Sequence, residues 1–275
     1  LPLGRYSRPE REIGPGIWGG PTYRWSPDGR HIAVHLVDRR RMRRVPFPDY
    51  LADQTNPNEV RRGYPGDANE SRDVGIVDVA AGSLRLLGLE AADSRQIVDF
   101  AWSPEGALLI DRATDTAVDR WLLVLRPGEQ EAEEIWHSRR ESRIYTSFGS
   151  AWHPDGKGVI VLDDRSDRYG LYLVDPANPT ADATRLSKPA HDALSAPMVN
   201  HAGKQVFYEG NGPTPYERHV YRAPLDGGSP ERLTTLPGRH DAYPSPDGRS
   251  LAVIRSDDVT PPDLYVKALD DTALT

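Results

Sequence analysis

The stretch WSPDGRHIAVHLV, Trp25 to Val37, is a tight turn running straight into an apolar strand, and the chain writes it repeatedly. FAWSPEGALLI begins at Phe100, SAWHPDGKGVIV at Ser150 and AYPSPDGRSLAV at Ala242; a degenerate copy, MVNHAGKQVFY from Met198, has lost its Ser-Pro-Asp. Each residue of the turn has a physical task. Pro27 presets the first corner of a type I turn, an acid follows, and Gly29 supplies the positive φ that returns the chain antiparallel. Gly106, Gly156, Gly203 and Gly248 occupy the same place, so the turn recurs at intervals of 77, 50, 47 and 45 residues. Trp25, Trp102 and Trp152 stand just before it and have the bulk to fill the space between packed sheets.

After each turn the same order of strands returns. The second strand reads HIAVHLV, ALLIDRA, GVIVLDD, QVFYEG or SLAVIRS, and the third VGIVDV, RWLLVL, GLYLVD, RHVYRAP or DLYVKAL. A short fourth (SLRLLGL, EEIWHS, ATRLSK, ERLTTL) closes every unit but the last, which stops at Thr275. Four short strands per unit with almost no helical period predict an all-β β-propeller of four-stranded blades over residues 1–275, with about five blades visible. Either residues before Thr22 supply the missing last strand and the five close on themselves, or they belong to a larger ring.

Bulk properties narrow the class. The net charge of −7 argues against a nucleic-acid partner. No run of 18 apolar residues is present, so no membrane-spanning helix is expected. Cysteine is absent, which removes disulfides and thiolate chemistry. LPLGRYSRPEREIG at the start has neither an initiator Met nor an apolar signal core, and reads as the edge of a piece of a longer polypeptide. A soluble domain of the bacterial cytoplasm or periplasm is the expectation.

The first repeat interval is long because residues 39–72 are inserted between the second and third strands of the first unit. Seven arginines fall between Arg39 and Arg62, a pattern whose default reading is a solvated basic face. The insertion also carries VPFPDY and RRGYPGDAN before VGIVDV. With the preceding WSPDG turn, this order resembles the N-terminal propeller region of the dipeptidyl peptidase IV branch of the prolyl oligopeptidase (S9) serine peptidase family. There a long excursion ends in a Tyr-Pro-Lys-Ala-Gly-x-x-Asn-Pro-like segment, and Tyr64, Pro65, Gly66 and Asn69 occupy that pattern. The resemblance spans roughly Trp18 to Asp270.

That resemblance implies a C-terminal α/β-hydrolase domain bearing a Ser-His-Asp triad, with the propeller capping its active site and filtering short peptide substrates; a homodimer is also compatible with it. This chain has no G-x-S-x-G elbow. Its nearest match, GRSLA, places Ser250 inside a turn-and-strand repeat, where a structural role is expected, so no catalytic residue is assigned. The family also holds the substrate's amino terminus with paired glutamates just before a WSP turn. Two carboxylates suit an ammonium group because both bonds are charge-assisted. Here Glu10 and Glu12 occupy that region; two residues apart on a strand, they share a face. The alternative is that both are solvated charges between Arg8 and Arg11. The family's other substrate-contacting loop is shortened to RIYTSFGSAW, and its roles are not carried over.

No metal or phosphate motif is present and no cofactor is expected. His153 replaces the turn serine and reads as a turn residue, and acidic pairs such as Asp163-Asp164 read as turn partners and rim charges. Two functional classes therefore stand: a non-catalytic propeller domain of a dipeptidyl-peptidase-IV-like serine peptidase, which gates or positions short peptides, or a stand-alone TolB-like propeller that binds a protein.

Overall fold

The computed structural model describes residues 11–14, 22–49, 51, 53–54, 56–89, 95–141, 149–165, 168–179, 182–200, 204–212 and 214–269. Among these there is no helix, and hence none that could cross a membrane. Strand β1 (Arg11–Ile13) precedes the first blade, which comprises β2 (Tyr23–Trp25), β3 (His31–Asp38), β6 (Ser71–Asp78) and β7 (Ser83–Leu86). The inserted segment is not all loop: β4 (Arg44–Asp49) and β5 (Asn56–Arg61) pair as an antiparallel hairpin. The second blade is β8 (Arg95–Trp102), β9 (Leu108–Thr114), β10 (Asp119–Leu125) and β11 (Glu133–Arg139). The third is β12 (Ser150–Trp152), β13 (Val159–Asp163), β14 (Gly170–Val174) and β15 (Thr184–Arg185). The fourth is β16 (Met198–Asn200), β17 (Gln205–Asn211), β18 (Arg218–Pro224) and β19 (Glu231–Arg232). The fifth has three strands among the described residues, β20 (Arg239–Pro244), β21 (Ser250–Ser256) and β22 (Asp263–Ala268). Within each blade the strands pair antiparallel in chain order, as a propeller blade requires.

The turns close as the sequence implies. Gly29 N donates to Ser26 O at 3.0 Å and Gly248 N to Ser245 O at 2.9 Å, with φ of 68° at both glycines. Ser26 Oγ donates to Asp28 Oδ1 at 2.6 Å, and Asp28 Oδ1 accepts from Arg30 N at 3.0 Å. In the third blade His153 takes the serine's place, with Nδ1 2.6 Å from Asp155 Oδ1, so it serves the turn as expected. The degenerate fourth copy departs from the sequence reading. Lys204 takes a positive φ of 47° there, a residue the sequence reading did not single out, and Gly203 lies outside the described residues.

The strands read as continuous apolar runs because both faces of each inner blade are covered. Alternate residues point to opposite neighbours. Ala33, Val74 and Ile76 of the first blade meet Phe100, Leu108, Ile110 and Leu123 of the second. Leu109, Leu122 and Val124 on the second blade's other face meet Trp152, Val159 and Val161 of the third. Equivalent clusters join the third blade to the fourth and the fourth to the fifth. The tryptophans do more than fill these junctions. Trp102 Nε1 donates to Arg24 O at 3.0 Å and Trp152 Nε1 to Ala101 O at 2.9 Å, each reaching the inner strand of the preceding blade.

The two ends of the series differ from its middle. Trp25 is 53% exposed where Trp152 is 5%, and Tyr23 is 58% exposed where Phe100, at the same place in its blade, is 1%. The register puts Tyr23, Val34, Gly75 and Leu86 in one row, and Trp25, Ile32, Val77 and Leu84 in the next. An apolar face on the first blade is therefore uncovered. At the other end Tyr243, Leu264 and Val266 are exposed on the fifth blade's outward face. Strand β1 does not complete the fifth blade; it pairs with β3, Ile13 opposite Leu36, beside β2 on the same edge.

Candidate functional site

Glu12, the described member of the sequence-predicted pair, sits in the middle of β1 opposite Val37. Glu10 lies outside the described residues, as does most of the shortened loop RIYTSFGSAW. Where β3 ends and β6 begins, the chain places Arg39, Glu70 and Arg72 beside Glu12. The Arg39 guanidinium bridges Glu12 and Glu70, with Arg39 Nε 2.8 Å from Glu70 Oε2 and Nη1 on Glu12 Oε1. Glu70 also pairs with Arg72, whose Nη1 lies 3.4 Å from His35 Nε2. Arg39 and Arg72 are buried and Glu12 is partly exposed. Burial against this cation-rich neighbourhood lowers the His35 pKa to about 4, desolvation being the larger cause and Arg72 the next.

Two carboxylates and two guanidiniums compensate one another here, so neither Glu12 nor Arg39 is a simple solvated charge. The basic run thus divides: Arg39 is buried in the network, whereas Arg40 chelates Asp38, with Nε 2.9 Å from Oδ2. The network reaches the second blade through Asp115, which accepts from Asn69 Nδ2 at 2.9 Å and from Gln96 Nε2. Sequence reasoning missed Arg39 and Glu70. Arg39 is hidden in a charge run and Glu70 in the polar stretch before VGIVDV, and only the meeting of β3, β6 and β1 joins them.

The Tyr-Pro-Gly segment forms its own turn a few residues away. Asp67 N donates to Tyr64 O at 2.9 Å, Pro65 holds the corner and Gly66 adopts φ of 89°. Arg43 binds it from above, 5.9 Å over the Tyr64 ring and 3.3 Å from Asp67 Oδ1. Pro27, Gly106 and Gly156 lie in the repeat turns, and Ser250 begins β21 with its amide on Ser245 Oγ at 2.9 Å, a structural position. Among the described residues no three His, Asp or Glu side chains converge as a metal site.

The site is thus an ion-paired patch at one rim of a β-propeller, with the short strand β1 that carries Glu12 laid against the inner edge of its first blade. The class of protein is a propeller domain. Residues 20–262 match the model of the dipeptidyl peptidase IV (DPP IV) N-terminal region, and the chain belongs to that family. It is 24% identical over 248 residues to the "Probable dipeptidyl-aminopeptidase B" of Talaromyces marneffei, covering 79% of this chain and 27% of that protein. The fold is shared with a solved Bacteroides ovatus structure (TM-score 0.81, 16% identity, 97% of this chain and 41% of that one). It is also shared with Porphyromonas gingivalis dipeptidyl peptidase 4 (TM-score 0.76, 18% identity, 90% and 35%). The chain spans little more than a quarter of the length of the curated relatives it matches.

Proposed function

We propose that this chain is the non-catalytic propeller domain of a dipeptidyl-peptidase-IV-like serine peptidase of the S9 family. It caps an α/β-hydrolase domain of the same polypeptide and positions short peptides by their amino end. The observation that carries this reading is the family match over 20–262, in a chain covering only 27–28% of relatives named as dipeptidyl-aminopeptidases. Further blades of the longer polypeptide cover the outward faces of the first and fifth blades. The relatives named above give no support to the alternative of a stand-alone TolB-like module.

In this reading Glu10 and Glu12 share the ammonium group, and the Arg39 ion pair holds Glu12 in position until substrate arrives. Because Glu12 and Glu70 already balance Arg39 and Arg72, a bound ammonium needs one more carboxylate, which Glu10 supplies. The chain alone is expected to leave X-Pro and X-Ala chromogenic dipeptides unhydrolysed. In the full-length polypeptide, Glu12→Gln is expected to raise KM for free-amino substrates about tenfold, the worth of one charge-assisted bond. N-acetylated substrates should be unaffected. Equal KM values for parent and variant would remove Glu12 from substrate positioning.

A further inference from the structure

The junction between the fourth and fifth blades buries two imidazoles face to face. His219 on β18 and His240 on β20 are both buried, with ring centroids 5.1 Å apart and planes 23° from parallel. Their partners assign their protons. A carbonyl oxygen only accepts, so His240 Nδ1, 2.8 Å from Arg218 O, carries a hydrogen. His219 Nε2 donates to Glu217 Oε2 at 2.9 Å, which leaves its Nδ1 to accept from the Thr234 hydroxyl at 3.1 Å. Thr234 Oγ1 accepts in turn from Val220 N at 3.0 Å. One ring atom is left over: His240 Nε2 is buried with no hydrogen-bond partner among the described residues.

A proton added at that nitrogen would make a buried N–H without an acceptor and a cation against a second imidazole. The charged groups around it give little relief. From the fourth blade Glu217 is engaged by His219, and Glu209 accepts from Ala242 N and pairs with Arg218. From the fifth, Arg255 lies opposite His240 across β20–β21 and is paired with Asp257, and Asp241 is shared between Arg218 and Arg239. Lys267 Nζ donates to Leu233 O. The main-chain link across the junction is slight: one parallel bridge, Arg218 to Arg239, and Arg218 N on Gly238 O at 3.0 Å.

We propose that the stacked His219–His240 pair is an acid-sensitive latch: taking up a proton at His240 parts the fifth blade from the fourth. Burial, ahead of the other causes, holds the His240 pKa below its ordinary value, so the parted state binds the extra proton. The closed junction therefore has its full stability above about pH 6.5 and loses it as the pH falls below that range. Glu209 is shifted up by burial and contributes with the opposite sign, so a His240 variant is needed to isolate the imidazole.

The test is hydrogen exchange of the 275-residue chain at pH 7.5 and 5.5, corrected for chemical exchange rates. Amides of residues 239–256 are expected to lose protection by up to about tenfold, a ceiling set by the ordinary imidazole pKa of about 6.5. Those of 108–125 should lose much less. His240→Asn keeps an N–H for the Arg218 carbonyl and removes the ionisation; its acid loss in 239–256 is expected to vanish. An unchanged acid loss in that variant, or an equal loss in the second blade, overturns the latch. If the variant does not fold, NMR titration of His240 in the parent decides: a pKa below 6.5 supports the latch and one at or above it refutes it.

Discussion

Arg120 is the largest fully buried side chain among the described residues, and its charge is answered inside the core. Its Nε and Nη2 bind Asp111 at 2.9 and 2.5 Å, while Nη1 and Nη2 donate to Leu162 O and Gly149 O of the third blade at 2.5 and 3.2 Å. One guanidinium thus joins two strands of its own blade to the next blade. Removing a single partner leaves the other charge buried alone. Asp111→Ala is expected to cost about 3–5 kcal/mol in urea unfolding, whereas replacing Asp111 and Arg120 together by Leu and Met should cost far less. A single-variant loss under about 1 kcal/mol would show that water reaches the pair. The sequence LLIDRATDTAVDRW offers two Asp-Arg dipeptides and no way to choose between them. The pairing of β9 with β10 selects Asp111 and Arg120, while Asp119 goes to His137 and Arg139.

At the scale of the strand and turn, the repeat is legible and its exception is informative. Gly29, Gly106, Gly156 and Gly248 all take positive φ, as a turn that returns the chain demands. The fourth copy forces Lys204 into that conformation, which an L side chain adopts only at some cost. Lys204→Gly is expected to raise stability by about 0.5–1 kcal/mol in thermal unfolding; a loss would mean that the lysine side chain contributes more than its backbone costs. The indole bonds make a second element-scale forecast. Trp152→Phe keeps the ring in its junction but strands Ala101 O, an expected cost of about 1–3 kcal/mol by denaturant titration. Trp25→Phe, with no such bond among the described residues to lose, should be near neutral; equal costs at both sites would assign the effect to packing alone. Each tryptophan is visible in the sequence, but its acceptor belongs to the blade before, some 50 to 80 residues away.

The described residues form a row of sheets whose inner faces are shared and whose outer two are not. Contiguous exposed apolar surface of this kind marks an interface. The isolated chain is therefore expected to self-associate in sedimentation velocity. Leu264→Lys with Val266→Thr on one end, or Trp25→Ser with Leu84→Ser on the other, should shift it toward monomer. A parent that stays monomeric at high concentration would show these faces to be harmless as they stand.

By itself the sequence determined the blade: Pro, acid and Gly impose the turn locally, and apolar runs of four to eight residues demand a cover on both sides. It also pointed to the family through the Tyr64-Pro65-Gly66 segment and to Glu12 as a residue of interest. Only the tertiary structure decided which charges meet. Arg39 and Glu70 join Glu12, Asp111 takes Arg120, and His240 faces His219, because ion pairs and ring contacts depend on the register of strands distant in the chain. The same holds for the ends of the row. Trp25 and Trp152 are one residue type in one motif, and whether either is core depends on a neighbouring sheet that no local pattern encodes.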